Sequence, residues 1–132
     1  MGLLARAFRE TAYEAGGLTL RPGRRCPQAL ALLQRLGARE GAFVTACNPL
    51  AKRQPPGWNA RAQHRLRQAA HRWPALPGQS RPLRRLHAGW REAQWLLAAP
   101  MPVSKRFARR FRQRAILALG RDGMARLIWI NV

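Results

Sequence analysis

One stretch constrains this chain more than any other. Gly41-Ala42-Phe43-Val44-Thr45-Ala46-Cys47 is nearly unbroken in its apolarity and is stopped by Asn48-Pro49. A short run of this kind fits a central strand covered on both faces, because it has no polar alternation to offer solvent. The chain is therefore expected to build a sheet with helices packed against it. The strand's polar end is Thr45 and Asn48.

The surrounding pattern supplies partners for that strand. Residues 12–15 and 18–21 flank Gly16-Gly17, and a two-glycine connection between short alternating segments predicts a β-hairpin, since glycine accepts positive φ. Pro27, the leucines at 30, 33 and 36, and Gly37 predict a first helix over 27–36. Asn59 is a capping residue ahead of the stripe Ala62, Leu66, Ala69, Ala70 and Trp73, which predicts a second helix over 60–72. The segment 74–82 is Pro, Gly, Ser and Gln without periodicity and is expected to be an ordered loop. Residues 83–86 fit a short edge strand and 94–98 a better one, while Val103, Phe107 and Phe111 predict a third helix over 103–112. Residues 115–119 and 124–130 flank Gly120-Arg121-Asp122-Gly123 as a C-terminal β-hairpin. The expected fold is α/β or α+β: one compact domain over 1–132, with a mixed sheet of about five or six strands and about three helices.

Charge narrows the partners. Lys and Arg number 25 against five acids, for a formal net charge of +20, and only Lys52 and Lys105 are lysines. Such a field attracts nucleic acid, another polyanion, anionic lipid or an acidic protein. The chain is also rich in Ala, Gly and Pro, which GC-rich codon drift writes as readily, so charge alone assigns no partner. Cys26 and Cys47 form no CxxC pair and read as free thiols of a reducing compartment. The opening residues carry no secretion-type apolar stretch, and the longest apolar run, Trp95 to Pro100, falls far short of the ~20 residues that span a bilayer. A soluble, cytoplasmic protein is expected, with no transmembrane segment.

The positive charge concentrates on two segments. Residues 105–114 hold six cations around Phe107 and Phe111, and the second helix adds Arg61, Arg65, Arg67 and Arg72. A cationic face opposite an anchored apolar stripe can lie along phosphates, releasing counterions at each contact. Arg61, Arg65, Arg106, Arg109, Arg110 and Arg112 are the candidate phosphate contacts; a solvated surface or a helix resting on anionic lipid are the alternatives. Trp58 and Trp73 bracket the second helix as stacking rings or, more simply, as packing. His64 and His71, two turns apart, are separated by roughly 10 Å and do not form a metal pair by themselves.

Five scattered acids leave little room for paired-carboxylate glycosidases or two-metal nucleases. GxSxG, HExxH and a phosphate-cradling glycine loop are missing as well, so ordinary hydrolase chemistry is disfavoured and neither a metal nor a cofactor is implied. What remains is polar: Thr45, Asn48, Asn59, Arg61, Glu92 and Gln113. Beyond the end of a central strand and beside a helix start, they are candidates for one pocket, with Arg61 and nearby amides holding a nucleotide-like anion and Glu92 the only candidate base. The plainer alternative is that Asn48-Pro49 turns the chain and Asn59 caps a helix. A nucleic-acid or polyanion-binding accessory protein is the leading expectation, and a small-molecule site or modest enzyme the second.

Four pieces share their order and spacing with a known group: Phe43-Val44-Thr45-Ala46-Cys47-Asn48-Pro49, Asn59-Ala60-Arg61, Trp90-Arg91-Glu92, and Phe107 through Phe111-Arg112-Gln113-Arg114-Ala115-Ile116. Together they resemble the bacterial domain of unknown function 3293 family, from about Tyr13 to Ile130. The resemblance implies a compact α/β domain of the bacterial cytoplasm and no reaction. In that family's pattern an aromatic stands in place of Cys47, Ser in place of Ala51, and Gly and Asn in place of Arg112 and Arg114. The last two departures add positive charge to a neutral turn.

Overall fold

In the computed structural model, which describes residues 2–131, the first four residues of the 41–47 run become an interior strand and the chain leaves the sheet at Thr45. The elements in chain order are α1 (Leu3–Arg9), β1 (Thr11–Ala15), β2 (Leu18–Leu20), α2 (Pro27–Arg35), β3 (Gly41–Val44), α3 (Pro56–Ala69), β4 (Ala75–Pro82), β5 (Glu92–Leu97), α4 (Met101–Arg110), β6 (Ala115–Leu119) and β7 (Ala125–Trp129). Short 3₁₀ helices lie at Pro49–Ala51 and Arg85–Trp90. All four residues of β3 are buried, and its neighbours are β5 and β6.

The sheet order is β2-β1-β4-β5-β3-β6-β7, and every pairing is antiparallel. The domain is therefore α+β, with seven strands and four α-helices in place of the expected mixed sheet of five or six strands with three helices. The reason is how the helical connections skip a strand. α3 links β3 to β4 across β5, and α4 links β5 to β6 across β3. The linked strands run parallel to each other but never touch. The two crossovers move in opposite lateral directions from strands of opposite polarity, so right-handed connections put both helices on one face. Ala62 and Leu66 of α3 and Ala108 of α4 accordingly share a cluster with Val44 and Ile116.

The sheet curls until its edges meet. The chain just after β2 bonds to the start of β7, with Gly23 N–H to Ala125 O at 2.8 Å and Cys26 N–H to Gly123 O at 2.8 Å, although β2 and β7 are opposite ends of the strand order. The inner face of this trough is filled at one end by α2, whose Leu32 and Leu33 pack with Leu20, Phe43, Leu96 and Leu117. At the other end α1 approaches, and Phe8 meets Trp129 edge to face at 5.4 Å between centroids.

Both expected hairpins form. Gly16 and Gly17 take φ of +57° and +79° between β1 and β2, and five residue pairs join β6 to β7. Three expectations are corrected. Residues 75–82 are not a loop but the longest strand. Its prolines hid it, yet Pro82 lies beyond the 75–80 stretch paired with β5 and Pro77 lies before the 78–82 stretch paired with β1. Each proline has a neighbour on one side only, where a missing N–H is tolerated. Residues 83–86 are not an edge strand; the chain turns there into the 3₁₀ helix. The helix α1 was not anticipated, being seven residues with none buried, and so short a helix draws its stability from docking rather than propensity.

Candidate functional site

Curling leaves one end of the inner face unfilled. A cavity of about 300 Å³ opens there. Strand alternation decides what lines it, because residues two apart share a face. Thr11 and Tyr13 of β1, Ser80 of β4, and Glu92 and Gln94 of β5 point in, above the Phe43 ring of β3. Leu4 and Phe8 of α1 form one wall, and His87, Trp90 and Arg114 lie on the rim.

Asn48 organises the polar part of this site, and its amide orientation is fixed by backbone. Gln54 N–H donates to Asn48 Oδ1 at 2.8 Å, so the amide nitrogen is the end that reaches Glu92, donating to Oε2 at 2.8 Å. Asn59 is fixed in the same way: its Oδ1 accepts from Asn48 N–H at 2.9 Å and its Nδ2 donates back to Asn48 Oδ1 at 2.9 Å. Gln113 donates to the carbonyls of Cys47 and Phe111, at 3.0 and 3.2 Å, which leaves its own carbonyl end uncommitted. The Thr45 hydroxyl donates to Ala93 O at 2.7 Å and accepts from Cys47 N–H at 3.0 Å, closing the end of the strand.

The loops that carry these groups are strained. Asn48, Leu50, Ala51 and Arg112 have φ of 47°, 57°, 58° and 56° and are the non-glycine residues with positive φ among those described. Such conformations cost about 1–3 kcal/mol each for side chains that do not favour them, and they persist only where the surroundings over-determine them. Here two bonds tie the loops together, Leu50 N–H to Arg112 O at 2.7 Å and Arg114 Nε to Leu50 O at 3.2 Å. A positive φ at position 112 is a conformation that favours glycine, the residue the resemblance implied there.

The electrostatics centre on one carboxyl. Burial pushes Glu92 up to about 7, although the Asn48 hydrogen bond pulls the other way. Burial, and then the Glu92 charge, raises the Tyr13 phenol. Burial is also the largest cause of the upward shift at the Cys47 thiol. Among the described residues no Arg, Lys or His forms an ion pair with Glu92. No three His, Cys, Asp or Glu among them come together as a metal-holding group.

Of the six residues expected to share a pocket, Thr45, Asn48, Glu92 and Gln113 line the cavity. Asn59 stands behind Asn48 as its hydrogen-bond partner. Arg61 does not belong to the cavity: α3 crosses the opposite face of the sheet and Arg61 is exposed on it, so the anion cradle expected around it does not form. Sequence reasoning missed Tyr13, Ser80, Gln94 and His87. Period-two spacing from Glu92 was the available signal for Gln94; Ser80 was hidden in the segment read as a loop.

The outer face is a different surface. Arg61, Arg65, Arg106, Arg109 and Arg110 are exposed on α3 and α4, and Arg112 is exposed just beyond. The carboxylates are occupied elsewhere: Glu10 with Arg6 and Arg84, Glu14 with Arg81, and Asp122 with Arg126. Glu40 accepts from Met101 N–H at the start of α4 at 2.8 Å. Trp58 and Trp73 pack against the core clusters of this face. No helix among the described residues is long and apolar enough to cross a membrane.

A sequence model of the family described as "Protein of unknown function (DUF3293)" matches residues 44–116, more than half of the chain and less than the 13–130 span of the resemblance. The matched stretch contains Asn48, Glu92 and Gln113 and both outer helices. No curated protein and no solved structure matches the chain.

Proposed function

The chain belongs to the DUF3293 family, and from that premise we propose that it binds a small organic molecule in the inner-face cavity. The family description carries no activity, so the reading rests on the site. The observation that supports it is the convergence of Glu92, Asn48 and Gln113 from three separate elements on a concave space walled by Phe8, Phe43 and Trp90. Concave, mostly apolar sites with a few oriented polar groups and a perturbed carboxyl are the general form of ligand pockets. Glu92, the carboxyl that lines the cavity and that burial pushes up to about 7, is also the group suited to proton transfer if the bound molecule reacts. The test is a small aromatic fragment library followed by amide chemical-shift mapping. Shifts should cluster at Trp90, Glu92 and Gln113 and spare α3 and α4; no binders, or shifts confined to the outer helices, would overturn the proposal.

A second reading is supported by a different observation, the exposed arginines of α3 and α4 without carboxylate partners. They lie on one side of the sheet, as polyanion contacts must. Fluorescence polarisation with random DNA and RNA at several salt concentrations tests it. A log–log slope of roughly −0.9 per phosphate contact on duplex is expected. Absent or salt-insensitive binding sinks it, and capture of acidic protein after nuclease treatment would replace nucleic acid with a protein partner.

A further inference from the structure

We propose that the cavity selects an organic ammonium ion: a protonated amine carried on a compact apolar or aromatic body. This rests on the cavity being a ligand site, and it adds the ligand's charge.

Glu92 is the one acid among the residues lining the cavity. Its Oε2 takes the Asn48 amide, and its Oε1 has no hydrogen-bond donor among the described residues. Partly buried carboxylates are ordinarily paired, because an isolated charge away from water is costly. In a chain with 25 Lys and Arg residues the missing partner is notable. The arginine that lines the cavity, Arg114, is an exposed side chain whose Nε is bonded to Leu50 O.

The rest of the lining has the same bias. Gln113 spends both amide hydrogens on backbone carbonyls and so presents an acceptor. Tyr13, Phe43, Phe8 and Trp90 bring aromatic rings to the same space, and ring faces attract cations. A bare metal ion fits poorly: one carboxylate among neutral groups falls short of the oxygen-rich sets that hard cations need. The net charge of +20 also opposes any cation that brings no other binding energy. An apolar body supplies that energy by burial against Leu4 and the rings.

Three probes of similar shape decide the question: phenethylamine, 2-phenylethanol and 3-phenylpropionate, titrated by calorimetry or chemical shift at pH 8 against the whole chain and its Glu92→Gln variant. The amine should bind about tenfold or more tighter than the alcohol, the scale of a charge-assisted hydrogen bond. In Glu92→Gln the amine's advantage over the alcohol should vanish. A second readout needs no variant. The Glu92 carboxyl ¹³C titration should move to lower pH when the amine saturates the protein and should not move with the alcohol. Tyr13 from β1, Cys47 beyond β3, and His87 and Arg114 on the rim are the other titratable groups around it and must be followed together with it. Equal affinity for amine and alcohol, or tighter binding of the propionate, overturns the ammonium class while leaving the ligand site standing. No binding by any probe overturns both.

Discussion

The inner cavity and the outer helical face use polar side chains in opposite ways. On the inner face a few neutral groups and one acid are held by fixed partners: Asn48 by Gln54, Asn59 and Glu92, and Gln113 by two carbonyls. On the outer face the arginines of α3 and α4 are exposed, and the main ordered contacts are rings, such as Trp58 under Arg65 at 5.9 Å and Phe111 under Arg110 at 5.6 Å. Geometry specifies the first region; net charge and loose reach specify the second. Selective recognition needs pre-organised groups, whereas phosphate backbones are held by charge in many arrangements.

If that contrast is right, substitutions on the two sides should differ sharply in cost. The largest effect is expected at Gly78, beneath the Phe43 ring, where an added Cβ would stand 2.4 Å from the Glu14 carbonyl oxygen and 3.1 Å from Ala15 Cβ. Gly78→Ala should lose about 3 kcal/mol in urea unfolding, because backbone rather than a flexible side chain must yield. A loss under about 0.5 kcal/mol would show that the β1–β4 pairing yields easily at this point. Next, Asn48→Ala should cost about 2 kcal/mol by orphaning Gln54 N–H and leaving Asn59 Nδ2 only its longer bond to Gln54 O, at 3.4 Å. It should also raise the Glu92 titration midpoint, since the hydrogen bond that favours the carboxylate is removed.

A smaller effect follows from the sign of the Glu92 shift. Its pKa is raised from 4.5 to about 7, so the folded protein holds that proton more tightly than the unfolded chain does. The Glu92 contribution is full below 4.5, declines as pH rises toward about 7, and is flat above. After allowance for solvent screening in the cavity, about 1–2 kcal/mol should be lost over that window. Glu92→Gln should remove this part of the pH slope in parallel urea melts; an unchanged slope would mean that Glu92 titrates normally. The smallest stability change belongs to the outer face. Arg106→Glu with Arg109→Glu should alter unfolding by no more than about 0.5 kcal/mol. The same pair should abolish salt-dependent polyanion binding without changing small-molecule binding in the cavity. Loss of both activities together would erase the distinction between the two regions.

Much of the fold was legible because the signals were local. Gly16-Gly17, the terminal hairpin and the α2 leucine face each lie within one element, and the structure forms them close to where the pattern puts them. The failures share a cause: β4 has two prolines and a glycine, and only the staggered reach of β1 and β5 makes them harmless. α1 likewise has no buried residue of its own to announce it. At the site, Thr45 and Asn48 were visible as the polar end of an apolar run, and Glu92 as one of only five acids. Tyr13 and Ser80 were not, since each depends on which strands become neighbours.

The sequence by itself determined that a covered central strand would form and that helices would carry many of the arginines. Periodicity and composition settle these matters without knowledge of strand order. The tertiary structure decided that two strand-skipping crossovers place both cationic helices on one face and leave a cavity on the other. It also decided that Arg61 and Glu92 belong to different faces. Strand order and curl are set by long-range pairing, and the identity of a strand's neighbour is written in no local stretch of chain.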